Sequence, residues 1–155
     1  MKKVLILFLF YSFFIPEIYC MMQDIPIFAS MDEVKNKKEG PYLLVFFSTS
    51  CQICWNDLIE MKYFIDKNKV NIKIIGISRD SREKLIPFIE KYSISCSIVN
   101  DRKGKLYNEY EVDLEPFKLI IIDNRVFYRD SYYESLQIRE NKIKKVLLKL
   151  ESKFP

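Results

Sequence analysis

The sequence predicts an α/β fold, a central mixed β-sheet flanked by helices on both faces. Three observations carry that expectation. Residues 42–48 and 72–78 are continuous apolar runs rather than alternating ones, which is the pattern of strands buried on both faces. Between and after them lie stretches whose apolar residues recur at helical spacing. The elements then alternate as β-α-β-α-β, a short strand and helix, and a final β-β-α, an order that places helices on both sides of one sheet.

Each element has a local reason. Residues 26–29 suit a short edge strand, and Ser30 with Glu33 forms a plausible capping box for a short helix. Gly40-Pro41 ends that helix. The run from Tyr42 to Ser48 is the first buried strand. A helix follows from Cys51 to about Asn68, with Trp55, Leu58, Ile59, Lys62 and Ile65 on one side. Ile72 to Ser78 is a second buried strand. Asp80 with Glu83 is expected to cap a helix reaching Tyr92, kinked at Pro87. Ser97 to Val99 is a short strand, Asp101 to Gly104 a turn, and Lys105 to Tyr110 a short helix. Phe117 to Asp123 and Val126 to Arg129 read as a hairpin turning at Asn124-Arg125. Leu136, Ile143, Val146, Leu147 and Leu150 mark the inner face of the last helix.

Composition narrows the chemistry. The 155 residues suit one domain, about half are apolar, and aromatics reach 15%, enough for a packed core. The net charge of +4 is slight and spread out. The cluster Lys142, Lys144, Lys145 and Lys149 falls between apolar positions of the last helix and reads as a solvated face, so no nucleic-acid partner is expected. Histidine is absent, which excludes Cys–His and Ser–His catalysis and imidazole-ligated metals. With three glycines there is no phosphate-cradling loop, and the aromatics fit core positions, so no cofactor is expected.

The N-terminus has the pattern of an export signal. Lys2 and Lys3 precede an apolar run from Val4 to Ile15, then Pro16 and Glu17. That run is shorter than the roughly 20 residues a spanning helix needs. Residues 1–20 are therefore expected to be a signal peptide, and 22–155 the domain. Glu17-Ile18-Tyr19-Cys20 puts a cysteine where a bacterial lipoprotein is lipidated, although Tyr19 is bulky for that signal; an uncleaved anchor is the other form of tether. Each places the domain outside the cytoplasm, in the bacterial periplasm or tethered at its membrane.

The sharpest motif is Thr49-Ser50-Cys51-Gln52-Ile53-Cys54, at the junction of a buried strand and a helix. Residues three apart on a helix share a face, so both sulfurs can meet in its first turn. The helix N-terminus favours a thiolate on Cys51, while Cys54, one turn in, is more shielded. Such a dithiol exchanges disulfides: Cys51 attacks and Cys54 resolves. Zinc would need two more ligands, and only Cys20 and Cys96 remain, far apart in sequence. A static structural disulfide is the other alternative. Cys96 reads as a small buried hydrophobe.

From Tyr42 to Tyr128 the chain resembles the thioredoxin superfamily, and within it the exported TlpA/ResA-type thiol–disulfide oxidoreductases. Leu43 to Cys51 resembles the strand entering the redox motif, and Ile74 to Asp80 the next strand and turn. Tyr107 to Val112 resembles the stretch before the cis-proline loop, and Leu114-Glu115-Pro116-Phe117 the loop itself. The resemblance implies a thioredoxin-like fold with Cys51 as nucleophile and Cys54 as resolving thiol. It implies that Pro116 is a cis-proline beside the disulfide, and that Asp57, where many relatives carry Glu, relays a proton for the pair. Ser50, Gln52-Ile53, Trp55, Ile59 and Ser97 depart from the family pattern. So does Glu115, whose charge is expected to raise the Cys51 thiol pKa and bias the pair toward reduction. The expected partners are an extracytoplasmic protein with a cysteine pair and, for a reductase, a membrane electron donor. The alternatives are a non-catalytic interaction module with a static disulfide, or a thiol oxidase or isomerase.

Overall fold

The computed structural model describes residues 27–37 and 40–151. The expected signal segment and Cys20 lie outside the described residues. The elements are β1 (Ile27–Phe28), α1 (Met31–Lys37), β2 (Tyr42–Phe46), α2 (Gln52–Lys67), β3 (Lys73–Ser78), α3 (Arg82–Tyr92), β4 (Ser97–Asn100), α4 (Lys105–Glu109), β5 (Phe117–Ile122), β6 (Arg125–Arg129) and α5 (Leu136–Glu151). Six strands form one mixed sheet in the order β1-β4-β3-β2-β5-β6. The pairs β1·β4, β3·β4 and β2·β3 are parallel, whereas β2·β5 and β5·β6 are antiparallel. This is the α/β, thioredoxin-like architecture expected from the sequence. Among the described residues, no helix is long and apolar enough to cross a membrane.

Both faces of the sheet are buried at its centre, where β2 sends alternate side chains each way. Leu43, Val45 and Phe47 join Leu58 and Met61 of α2, Leu85 and Phe88 of α3, and Ile143 and Leu147 of α5. Leu44 and Phe46 join Val34 of α1, Leu106 and Tyr107 of α4, and Phe117 and Leu119 of β5. A strand buried on both faces has no polar side to alternate with, hence its continuous apolar sequence. At Gly76 an added Cβ would stand 2.6 Å from Ile98 Cδ1 and 2.8 Å from Phe47 Cε1. Only glycine lets β3 accept those side chains beneath α2.

Several local expectations shift. The buried face of α2 is Cys54, Leu58, Met61 and Ile65; Ile59 lies at the surface, and Lys62 pairs with Asp66. The hairpin turns at Asp123-Asn124, one residue earlier than expected, both with positive φ, a conformation Asp and Asn tolerate well. Asp80 does not cap α3, whose N-cap is Ser81 without a side-chain bond. The first helix does carry a version of its capping box: Ser30 Oγ accepts the Glu33 N–H, while the Glu33 carboxylate takes the N–H of Ala29. The face of α5 includes buried Arg139, which apolar spacing did not reveal.

Candidate active site

Cys51 is the N-cap of α2, and Cys54 lies in its first turn. A disulfide joins them, with Cα atoms 5.3 Å apart. The two cysteines differ in exposure: Cys51 is half-buried, and Cys54 is 0% exposed. No side chain caps the helix at Cys51. The first-turn N–H groups and the positive dipole end therefore act on the sulfur itself.

The loop that delivers Cys51 is pinned by Asp80. Its carboxylate accepts the Thr49 N–H at 2.6 Å and contacts the Ser48 hydroxyl at 3.3 Å and the Ser78 hydroxyl at 3.4 Å. Burial pushes the Asp80 carboxyl up, but the bonds from Thr49 and Ser48 and the charge of Lys84 outweigh it and leave the pKa lowered. Behind the loop, Trp55 lies 4.2 Å from Tyr92 between ring centroids, and Phe88 packs against both rings and against Phe47. Trp55 thus belongs to an aromatic wall joining α2 to α3.

The second side of the site is the Glu115-Pro116 peptide, which is cis. Register places it: Phe46 pairs with Phe117, so Pro116 stands level with Phe47, at the sheet end where the chain runs on to Cys51. The loop is held from several directions. Tyr132 Oη accepts the N–H groups of Asp113 (2.8 Å) and Leu114 (3.4 Å), and its ring stacks on Phe117. Arg139 Nη1 donates to Pro116 O at 3.0 Å. The side chain of Glu115 accepts a short hydrogen bond from the Tyr107 hydroxyl. Burial, then the Glu115 bond and charge, push the Tyr107 pKa far above its usual range. Two large apolar side chains stand exposed in these segments: Ile53, between the cysteines, at 60%, and Leu114, before the cis peptide, at 66%.

One helical turn beyond Cys54, Asp57 joins a charged cluster whose other members the sequence did not disclose. Lys118, the second residue of β5, is fully buried, and its Nζ is 2.5 Å from Asp57 Oδ2 and 3.6 Å from Asp130 Oδ2. Asp130 also accepts from Tyr128 Oη at 3.0 Å and faces Arg139 Nη1 at 3.6 Å. Burial pushes the Asp130 carboxyl up, and Lys118, Tyr128 and Arg139 only partly offset it. The five residues singled out from the sequence (Cys51, Cys54, Asp57, Glu115 and Pro116) thus lie along one end of the sheet and the opening turns of α2. Those the sequence missed are Asp80, Tyr107, Lys118, Asp130, Tyr132 and Arg139. A lysine inside the apolar run 117–122 was the one available signal.

A family model described as the AhpC/TSA family matches residues 29–139. The chain belongs to the AhpC/TSA family. Among curated proteins, none matches it significantly. Solved structures show this AhpC/TSA chain to have the thioredoxin fold. A thioredoxin-like protein from Porphyromonas gingivalis superposes with TM-score 0.62 at 21% identity, covering 77% of this chain and 83% of its own. A thiol-disulfide oxidoreductase from Bacteroides fragilis gives 0.54 at 25% identity, covering 68% and 80%. StoA from Bacillus subtilis gives 0.54 at 16% identity, covering 70% and 82%. The resemblance read from residues 42–128 agrees with this family and fold.

Proposed function

We propose that this chain is an exported thiol–disulfide oxidoreductase that reduces disulfides in other extracytoplasmic proteins. One observation carries the proposal: a half-buried Cys51 joined to a fully buried Cys54 in the opening turn of a helix. In the dithiol form, the Cys51 thiolate attacks one sulfur of a substrate disulfide. A mixed disulfide forms and one substrate thiolate leaves, taking a proton. Cys54 then gives its proton to Asp57 and attacks Cys51 Sγ, which breaks the mixed disulfide and releases the second substrate thiol. Two electrons pass to the substrate, and Cys51–Cys54 is oxidised. A membrane thiol donor restores the dithiol.

The apolar surfaces of Ile53 and Leu114 flank this path and suit an extended apolar segment of substrate. The backbone before Pro116 is suited to pair with that segment. Glu115 sets the direction: its negative charge disfavours a thiolate on Cys51 and so favours giving electrons away. The pattern of residues 1–20 supports export, with the domain soluble in the periplasm or tethered at Cys20. The competing reading is a binding module with a static disulfide, and the same cysteines separate the two. Cys51→Ser is expected to abolish reduction of insulin. Cys54→Ser is expected to accumulate mixed disulfides on Cys51 in cells, whose partners identify the substrate. A disulfide inert to mild thiols, with no adduct trapped by Cys54→Ser, refutes the enzyme.

A further inference from the structure

The geometry points to Lys118 as a positioning residue for the Cys54 half of the exchange, holding the Asp57 carboxylate against the inner sulfur. This rests on the exchange reading above and adds a part to it. The remainder of β5 is apolar apart from this residue. A fully buried lysine is rare unless paired. Replacing a whole buried ion pair or triad by apolar residues of similar volume is often neutral or stabilising, whereas removing one partner alone is strongly destabilising. Stability alone therefore gives no reason for the ion cluster as a whole on the α2 face of the central sheet, where Lys118 is in register with Val45.

Its neighbours give one. Lys118 Nζ is 2.5 Å from Asp57 Oδ2, and Asp57 lies one helical turn beyond Cys54 on the same face of α2. A carboxylate in the early turns of a helix ordinarily reaches for water. Here the Asp57 side chain is only 10% exposed, because the ammonium draws it inward. The ammonium is itself held from behind. Asp130 Oδ2 faces Nζ at 3.6 Å and accepts the Lys118 backbone N–H at 3.2 Å. Tyr128 and Arg139 fix Asp130, and Arg139 bonds the carbonyl of Pro116. Lys118 on β5 thus faces Asp57, and Cys54 precedes Asp57 by one turn on its own helix. Asp130 after β6, Tyr128 on β6 and Arg139 on α5 stand behind them. Two acids and two bases balance in charge and tie α2 to the cis-proline loop. Cys54 becomes a nucleophile only on losing its proton, and in this dry site the acceptor must already be in place.

The test uses the reduced full chain and the aromatic disulfide dithiobis(nitrobenzoate). Attack by Cys51 releases the first coloured thiolate at a rate set by reagent concentration. Attack by Cys54 on the mixed disulfide releases the second at a rate independent of it. Cys54→Ser must lack that second phase. Lys118→Met is expected to slow the second phase about tenfold at pH 7 and to affect the first far less. It should also change the pH profile of the second phase, which a merely structural role would leave unmoved. In Asp57→Asn, adding Lys118→Met changes the second phase and its pH profile no further.

An unchanged second phase and pH profile in a folded Lys118→Met overturns the proposal, whatever its melting temperature. So does an effect of Lys118→Met that persists in Asp57→Asn. Should Lys118→Met not fold, the 15N resonance of the Lys118 ammonium serves instead. It is expected to shift when the disulfide is reduced in the wild type and not in Asp57→Asn; the same response in both overturns the proposal. A wild type with no second phase refutes the exchange reading itself, a different outcome.

Discussion

Truncating Asp80 to alanine tests whether the approach to the nucleophile is held by one carboxylate. The perturbation removes the acceptor of the Thr49 N–H, at 2.6 Å, and two hydroxyl contacts at 3.3 and 3.4 Å. A bond to a charged acceptor contributes about 1.5–3 kcal/mol. The hydroxyl contacts are too long to add much. Ser48, Thr49 and Asp80 are each half-buried, so water recovers part of the loss. The net expectation is about 1.5 kcal/mol, or roughly 3–6 °C in melting temperature for a domain of this size.

The pH dependence has a definite sign. Asp80 has a lowered pKa in the folded protein. Its contribution is therefore complete above the unfolded carboxylate value, about 3.9, and is lost as pH falls through the lower folded value. Thermal unfolding of the oxidised protein, followed by circular dichroism at pH 7, 4 and 2.5, reads this directly. The gap between wild type and Asp80→Ala should be full at pH 7 and narrow toward pH 2.5. No gap at pH 7, or an equal gap at every pH, refutes the claim that an ionised Asp80 anchors the loop.

Two further outcomes are expected. Gly76→Ala places a methyl against Ile98 and the Phe47 ring and should cost about 1–3 kcal/mol by overpacking, read from urea unfolding; a neutral effect would show that β3 has room beneath α2. Glu115→Gln removes the charge held by Tyr107 and should make the reduction potential less negative by roughly 15–30 mV, the equivalent of about 1 kcal/mol. An unchanged or more negative potential, measured against glutathione, removes Glu115 as the source of reducing bias.

What the sequence determined by itself is local. The apolar runs at 42–48 and 72–78 announced strands buried on both faces, because such strands carry no solvent side to break the pattern. Cys51 and Cys54 at a strand–helix junction determined their meeting, because helix geometry brings residues three apart together. Glu115-Pro116 was legible through the loop it resembles. Tertiary structure decided the rest. Asp80 resembled a helix cap, yet it anchors the loop of Thr49, since capping patterns count neighbours in sequence and Asp80 bonds across two strands. Lys118 and Arg139 interrupt apolar patterns and Asp130 follows the last strand, and nothing local in the sequence groups them. Only the pairing of β5 with β2 and the packing of α2 and α5 on one face of the sheet bring them together with Asp57, where a dry interior makes each charge depend on the others.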